Sequence, residues 1–206
     1  MTVLELVEYT RGEVLRDNVP PYLYDEDALV MYANEGLARM ARRTHVFVDE
    51  FSIVTEAGTR RYPVKEGTIH VQSVIEPSGR SLTPFTRRTK PRLWEGCPTA
   101  YSTDSAQRQI TLHPTPDQAY EMLVTRAYTP PRLDLSDEIP LAYDHAVLLA
   151  DWIAHRALRN NDPDGSNTVA ADQFERAWQM GLQEMKRDVI RYAAGDNPSA
   201  QPQNWT

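Results

Sequence analysis

The sequence predicts an α+β fold: a four-helix bundle from both chain ends, with an antiparallel β insertion between helices two and three. Apolar residues recur at intervals of three and four near both ends of the chain, as in helices that are buried on one side. In the middle they alternate with polar residues, as in half-buried strands. The predicted domains are a helical bundle over residues 1–44 and 132–194, a β insertion over 45–131, and a C-terminal tail over 195–206.

The first helix is expected from Thr2 to about Arg16. Thr2 and Glu5 have the spacing of a capping box, in which the two residues satisfy each other's free backbone amides. Pro20 and Pro21 follow, and a proline cannot continue a helix because it has no amide hydrogen to donate. The helix should therefore end before this pair.

The second helix is expected to begin at Asp25, because acidic residues favour the positive end of the helix dipole. Arginines follow near its C-terminal end, where cations are favoured. One apolar stripe at helical spacing should be buried, and it consists of Leu29, Tyr32, Ala33, Gly36, Leu37, Met40 and Ala41.

The central segment predicts short strands with tight connections. Residues 99–103 and 109–113 alternate around a polar turn and predict a hairpin. Residues 119–128 predict the longest strand, and Pro130 and Pro131 close the segment.

Two further helices are expected after the β segment. The third begins near Pro140 and brings together Leu141, Val147, Leu148, Trp152 and His155. The fourth runs from about Asn167 to Ala194, and its apolar stripe consists of Phe174, Ala177, Trp178, Gly181, Leu182, Met185, Val189 and Tyr192. In the polar tail that follows, Trp205 is a large apolar ring that predicts an anchor on a partner.

Composition narrows the class of protein. The chain has 206 residues, of which 41% are hydrophobic and 25% charged, with a net charge of −7. This acidity argues against a protein whose whole surface wraps nucleic acid. The single cysteine, Cys97, excludes an internal disulfide, and no run of about 18 apolar residues predicts a membrane span. An acidic N-terminus is not typical of a signal peptide, so synthesis in the cytosol is expected.

No motif in the sequence predicts a catalytic residue, a cofactor or a metal. The five histidines are scattered without metal-ligand spacing, and Cys97 has no charged neighbour in sequence that would favour a thiolate. Residues 160–165 resemble the opening of a calcium loop, but Ala171 stands where the bidentate glutamate is needed. Acidic residues before the second and third helices are interpreted as caps and dipole partners.

Five segments carry motifs that together point to a family. One is the acidic helix start followed by Leu29, Tyr32, Asn34 and Glu35. The others are the glycine–proline–threonine–tyrosine element at 96–101, the strand ending in two spaced prolines at 112–116, the entry to the third helix at 138–147, and the start of the last helix at 157–174. In this order and spacing they resemble the phage adaptor, or head-to-tail connector, proteins of tailed bacteriophages.

The resemblance implies a structural adaptor subunit of the virion, located at the head–tail interface and made in the host cytoplasm. Members of such a family form a ring, usually of twelve copies, between portal and tail, and the ring continues the DNA channel. The implied partners are the portal ring, tail or nozzle proteins, further copies of the chain, and double-stranded DNA in transit. The resemblance implies no catalytic residue, no cofactor and no membrane.

A basic segment predicts an interface. No acidic residue stands between Pro77 and Trp94, and the segment could touch an acidic portal surface or DNA, or be a solvated loop. Net acidity favours a protein partner over DNA. The candidate interface residues are Arg80, Arg87, Arg88, Lys90, Arg92, Trp94 and Trp205.

Two other classes of function stay open at this point. One is a small hydrolase or nuclease with a site assembled from dispersed Asp, Glu and His residues. The other is a general protein-binding module of the host.

Overall fold

The computed structural model describes residues 1–85, 94–104, 107–160 and 167–194. The chain divides into two compact units, Met1–Val46 with Pro130–Thr206, and Phe47–Thr129. We refer to them as the helical unit and the β unit.

The helical unit begins with α1, Val3–Tyr9. The predicted capping box is confirmed: the Glu5 amide donates to Thr2 Oγ1 at 3.1 Å, and the Thr2 amide donates to Glu5 Oε2 at 2.8 Å. The expected continuous helix to Arg16 is not formed, because α1 changes into a π-helical turn over Thr10–Val14. Its wider geometry is set by the Leu15 amide, which donates to the Thr10 carbonyl five residues back.

Helix α2 covers Glu26–Thr44 and confirms its prediction. The Asp25 carboxylate accepts a hydrogen bond from the Ala28 amide at 3.3 Å and caps the first turn. All seven residues of the predicted apolar stripe are buried. The periodicity of the sequence therefore identified the packed face of this helix.

Helices α3, Tyr143–Asn160, and α4, Thr168–Ala194, complete the described part of this unit. Trp152 and His155 are buried on α3 as predicted, whereas Val147 and Leu148 are only half-buried, and Leu149 and Ile153 occupy the core instead. On α4 the predicted residues Trp178, Gly181, Leu182 and Met185 are buried. The rings of Trp152 and Trp178 lie 5.9 Å apart, so the two helices share an aromatic core.

The predicted four-helix bundle is wrong. Helices α2, α3 and α4 pack on one another, whereas α1 packs on α2 and α3 as a short addition. Its seven residues extend only about 10 Å, which is too short to run alongside helices of 18 residues or more. The Val3 amide instead donates to the Asp137 carbonyl at 3.0 Å, so α1 joins the segment that precedes α3.

The β unit contains two sheets in its described residues, and not one antiparallel insertion. One has the strand order β1-β7-β3 and the other β2-β6-β5-β4. The predicted hairpin is confirmed as β5 and β6, but β4 pairs with β5 in parallel. The strands are β1 Val48–Val54, β2 Arg61–Pro63, β3 Thr68–Ile75, β4 Thr83–Pro84, β5 Ala100–Asp104, β6 Gln109–His113 and β7 Glu121–Tyr128.

Alternating residues of both sheets form the core of the β unit. Val71, Val74, Met122 and Val124 come from the three-stranded sheet. Tyr62, Tyr101, Ile110 and Leu112 come from the four-stranded sheet, and Leu82 joins them from the connection before β4. Ile110 and Leu112 on β6 follow the period of two, as do Met122 and Val124 on β7. Val71 and Val74 on β3 are three residues apart, because the pairing register shifts between Val71 and Ser73.

A charged side chain is also buried in the β unit. Arg126 on β7 is only 2% exposed and lies opposite Asp49 on β1. Its guanidinium donates to both Asp49 oxygens at 2.6 and 3.0 Å, and to Lys65 O, Glu66 O and Thr68 Oγ1. The hydrogen bond from Arg126 holds the pKa of Asp49 below its usual value.

Candidate interface surfaces

Arg80 is the first predicted interface residue and lies in a turn after β3. Its guanidinium is 2.8 Å from Glu76 Oε1, although more than half of the arginine side chain is exposed. The Glu76 carboxylate is nearly buried and also accepts hydrogen bonds from Ser78 Oγ at 2.7 Å and Cys97 Sγ at 3.2 Å. These bonds, Ser78's first, lower the pKa of Glu76. Arg80 is therefore an ion-paired cation and not an independent one.

Cys97 is held as a thiol by the same carboxylate. Burial, followed by the Glu76 carboxylate, raises the pKa of Cys97. Sequence reasoning found no charged neighbour for this cysteine, and the structure brings an anionic one beside it. An anion disfavours the thiolate that nucleophilic catalysis requires.

Trp94 is 57% exposed and anchored through its backbone. Its carbonyl accepts from the Thr115 amide at 3.2 Å, and the Gly96 amide donates to the Thr115 carbonyl at 2.9 Å. A side chain at Gly96 would start 3.2 Å from the indole, so the glycine leaves space for the ring. The structure thus presents a large aromatic side chain on a fixed backbone. Arg87, Arg88, Lys90, Arg92 and Trp205 lie outside the described residues.

A polar cleft of about 400 Å³ lies on the four-stranded sheet, and its lining includes Arg60, Arg61, Ser102 and His113. Ser102 Oγ and His113 Nε2 are 3.5 Å apart, which is longer than a serine–histidine pair needs for nucleophilic catalysis. Burial, followed by the charge of Arg60, lowers the pKa of His113. Within the described ranges, no group of three His, Cys, Asp or Glu residues is placed to hold a metal ion.

Three adjacent side chains on α2 connect distant parts of the helical unit. Asn34 accepts from the Leu133 amide at 2.8 Å and donates to the Leu133 carbonyl at 2.9 Å. Tyr32 accepts a hydrogen bond from Asn160 on α3. Glu35 lies 3.1 Å from Arg156 Nε, as an ion pair without the alignment of a hydrogen bond. Sequence reasoning did not identify these contacts, although a polar Asn34 beside an apolar stripe was a usable signal.

One charged surface of the helical unit is a basic groove of about 530 Å³ between α2 and α4. Arg39, Arg42 and Arg43 line it from α2, and all three are exposed. Glu35 is the acidic residue of its lining, and Arg39 lies 3.2 Å from that carboxylate. The other lining residues are Ala38, Trp178, Gln179 and Leu182. We call this surface the basic groove.

A second charged surface lies where α1 meets the segment before α3. The Leu4 amide donates to the Leu135 carbonyl, and the Ile139 amide donates to the Met1 carbonyl, which holds the two segments side by side. The sequence has no lysine or arginine in residues 1–10 or 133–144. We call this surface the acidic edge, and its exposed carboxylates are Glu5, Glu8, Asp134, Asp137 and Glu138.

The basic groove and the acidic edge are exposed surfaces of opposite charge. A family model described as SU10 adaptor protein matches residues 1–202. The protein is therefore a phage adaptor, which is a class of structural virion proteins that interact with phage head and tail components. The chain belongs to the SU10 adaptor protein family, which confirms the resemblance seen in the sequence.

No individual curated protein matches the chain significantly. Among the described residues, no helix has both the length and the apolar character that crossing a bilayer requires.

Proposed function

We propose that the protein forms a closed ring between the portal and the tail, and that this ring continues the DNA channel. The observation that carries the proposal is the family match over residues 1–202, because an adaptor must contact the head on one side and the tail on the other. By the resemblance, the ring contains twelve copies. Its partners are the portal ring, tail or nozzle proteins, and double-stranded DNA in transit.

The charge of the chain supports passage of DNA. With a net charge of −7, a lumen lined by this protein would repel phosphates and let the genome slide. A strongly basic lumen would bind the phosphate backbone through released counterions and hold it. An acidic adaptor is therefore suited to a conduit.

The portal contact is proposed to involve the exposed ring of Trp94 together with Arg80, Arg87, Arg88, Lys90, Arg92 and Trp205. Exposed aromatic and arginine side chains are the residues that most often dominate binding energy at protein interfaces. The fixed backbone of Trp94 limits the entropy that binding would cost at this position.

Cryo-electron microscopy of the chain mixed with the portal ring of the same phage tests the assembly. We expect one ring of symmetry-related copies on the tail-facing end of the portal, with an open central channel. Isolated copies bound at irregular positions, or a closed disc without a channel, would overturn the proposal.

Binding to the portal tests the contact residues separately. Trp94→Ala should weaken portal binding at least tenfold, because an exposed aromatic anchor is lost while the fold keeps its core. Val54→Ala is the matched control, since Val54 is a similarly exposed apolar residue of the β unit. Equal effects of the two substitutions would remove Trp94 from the proposed contact.

A further inference from the structure

We propose that the basic groove of one copy binds the acidic edge of the next copy, and that this contact closes the ring. The inference rests on the proposed ring and identifies which surfaces of the helical unit join its subunits. Both surfaces belong to the same compact unit of one chain.

The charges of the two surfaces are complementary. The groove holds Arg39, Arg42 and Arg43 against the single carboxylate of Glu35, which is already shared with Arg156. The acidic edge has five exposed carboxylates and no lysine or arginine in the segments that form it. A positive groove and a negative edge attract and orient one another at encounter.

No ion pair among the described residues joins the two surfaces within one copy. Asn34 binds Leu133, at the start of the acidic segment 133–144. At about 100° and 1.5 Å per residue, Arg42, Arg39 and Arg43 lie roughly 80°, 140° and 180° around the helix from Asn34, and roughly 8 to 14 Å farther along it. A contact between two different surfaces of identical chains is heterologous, and such contacts build rings when the rotation closes.

Helix dipoles explain part of this charge distribution, but they leave several exposed charges of both surfaces without an ion-pair partner. Arg42 and Arg43 occupy the last turn of α2, where cations are favoured. Their side chains nevertheless remain exposed and form no ion pair with another described residue. Glu8 and Glu138 likewise form no side-chain hydrogen bond or ion pair within the described part of the chain. A second copy would supply the missing partners.

Charge reversal on each surface tests the contact. The groove variant carries Arg42→Glu and Arg43→Glu, the edge variant carries Glu8→Lys, Asp134→Lys and Glu138→Lys, and the combined variant carries all five changes. These changes invert the sign of each surface, because the edge variant keeps two carboxylates against three cations and the groove variant keeps Arg39 against three carboxylates. Assembly on the portal ring is followed by mass photometry and electron microscopy. The groove variant and the edge variant should each need at least about tenfold more protein for half-assembly, because like charges then face each other. The combined variant should regain assembly, since its two surfaces are again complementary.

Mixing the groove variant with the edge variant sharpens the result. The reversed groove of one variant is complementary to the reversed edge of the other, and the native groove of the second is complementary to the native edge of the first. An equimolar mixture should therefore form a ring of alternating variants at protein concentrations where neither variant assembles alone. The variant with Arg176→Glu and Arg187→Glu is the control, because it makes the same charge change as the groove variant at exposed positions of α4 outside the groove lining. It should assemble like the wild type.

The outcomes separate this inference from the proposed function. If the wild type forms no ring on the portal, both fail. If it forms a ring and the groove and edge variants assemble equally well, or the control fails as they do, only this contact is overturned. A variant with Arg42→Glu and Arg43→Glu that loses binding to a double-stranded DNA fragment while its ring assembly stays intact would assign the basic groove to phosphate. That result would also overturn the proposed contact between copies.

Discussion

The helical unit and the β unit are assembled from the chain in different ways. The helical unit joins two segments, Met1–Val46 and Pro130–Thr206, whereas the β unit is the continuous segment Phe47–Thr129. The helical unit therefore depends on contacts that cross more than ninety residues, such as the bonds between Asn34 and Leu133. The β unit can form its sheet pairings within one segment, at a lower cost in chain entropy.

The two units also hold their polar side chains differently. In the helical unit the half-buried, neutral amide of Asn34 binds a backbone amide and carbonyl on the facing segment. The buried guanidinium of Arg11 in the same unit donates to the Tyr24 carbonyl at 3.1 Å. The β unit uses a full charge, Arg126, surrounded by one carboxylate and three further oxygen acceptors. A buried charge leaves a larger uncompensated cost than a neutral amide when its partner is removed. The most sensitive single polar side chain should therefore lie in the β unit.

Replacement of the buried arginine should have the largest effect. Arg126→Met removes the guanidinium, leaves the carbonyls of Lys65 and Glu66 without this donor, and leaves the Asp49 carboxylate with the exposed Lys65 ammonium as its cation. We expect a loss of about 3–5 kcal/mol in the free energy of unfolding, measured by urea denaturation. Hydrogen exchange followed by mass spectrometry should localise the loss to residues 47–129.

Lys65→Met is the matched control, because Lys65 binds the same carboxylate from an exposed position. It should cost less than about 1 kcal/mol. If the two substitutions lower the free energy of unfolding equally, the burial of Arg126 does not explain its contribution to stability.

Loss of the hydrogen bonds between Asn34 and Leu133 should have the second-largest effect on stability. Asn34→Ala removes both hydrogen bonds to Leu133, and we expect a loss of about 2 kcal/mol in the free energy of unfolding. Amide hydrogen exchange should become faster in residues 130–139 and not in the β unit. Asn18→Ala is the control, because the Asn18 amide makes one long bond of 3.4 Å at an exposed site. A loss as large as that of Arg126→Met would contradict the distinction between amide and charge.

A smaller effect is expected where helices approach closely. A methyl group at Gly36 would lie 2.9 Å from Trp152 and 3.0 Å from Leu149, two buried side chains that cannot easily move. Gly36→Ala should therefore cost about 1 kcal/mol, as overpacking outweighs the better helix propensity of alanine. Thermal unfolding monitored by circular dichroism measures it.

Gly181→Ala is the paired control within the same unit. Its methyl group would lie 2.6 Å from the end of the Leu148 side chain, which is only half-buried and can turn away. Its stability should stay within about 0.5 kcal/mol of the wild type. Equal destabilisation by both substitutions would show that Trp152 beside Gly36 is no less able to move than Leu148 beside Gly181.

The response of stability to pH should distinguish the two units by its sign. The pKa of Asp49 in the β unit is lowered, mainly by the hydrogen bond from Arg126, so its stabilising contribution is present above the unfolded pKa of about 3.9. That contribution is lost as the pH falls through the lower folded value. Burial raises the pKa of Asp151 in the helical unit, so its ionised form costs stability above the folded value, and acid relieves that cost.

Denaturation of two variants across acidic pH measures these contributions. Asp49→Asn should be less stable than the wild type at pH 7, and the difference should shrink as the pH falls through the folded pKa of Asp49. Asp151→Asn should be more stable at pH 7 by less than about 1 kcal/mol, with the difference vanishing on acidification. Differences of the same sign would contradict the assigned environments.

Helix starts and the β5–β6 hairpin were predictable because their causes lie a few residues apart. The Thr2–Glu5 capping box, the Asp25 cap and the buried stripe of α2 all follow from local spacing. The β5–β6 hairpin follows from alternation around a turn. The actual packing of the helical unit was not predictable from local spacing. The π-helical turn at Thr10–Val14 ends α1 early, and the pairing of α1 with residues 135–139 depends on partners far along the chain.

The candidate interface was predictable only in part. The sequence identified Arg80 and Trp94 as candidates, and the structure adds that Arg80 is paired with Glu76 whereas Trp94 is exposed. Sequence reasoning treated the arginines of α2 as dipole partners and did not see that three of them line one groove with α4. That grouping requires the packing of two helices whose residues are about 140 positions apart in sequence.

The sequence by itself determined the local elements, their caps, their apolar faces and the family of adaptors to which the chain belongs. Only the tertiary structure decided that α1 is an addition to three helices, that the strands form two sheets, and that Arg126 is buried with Asp49. Local backbone hydrogen bonds and periodicity are encoded within one or two turns of chain. A side chain's partners, and so its charge state and burial, are fixed only when distant segments pack together.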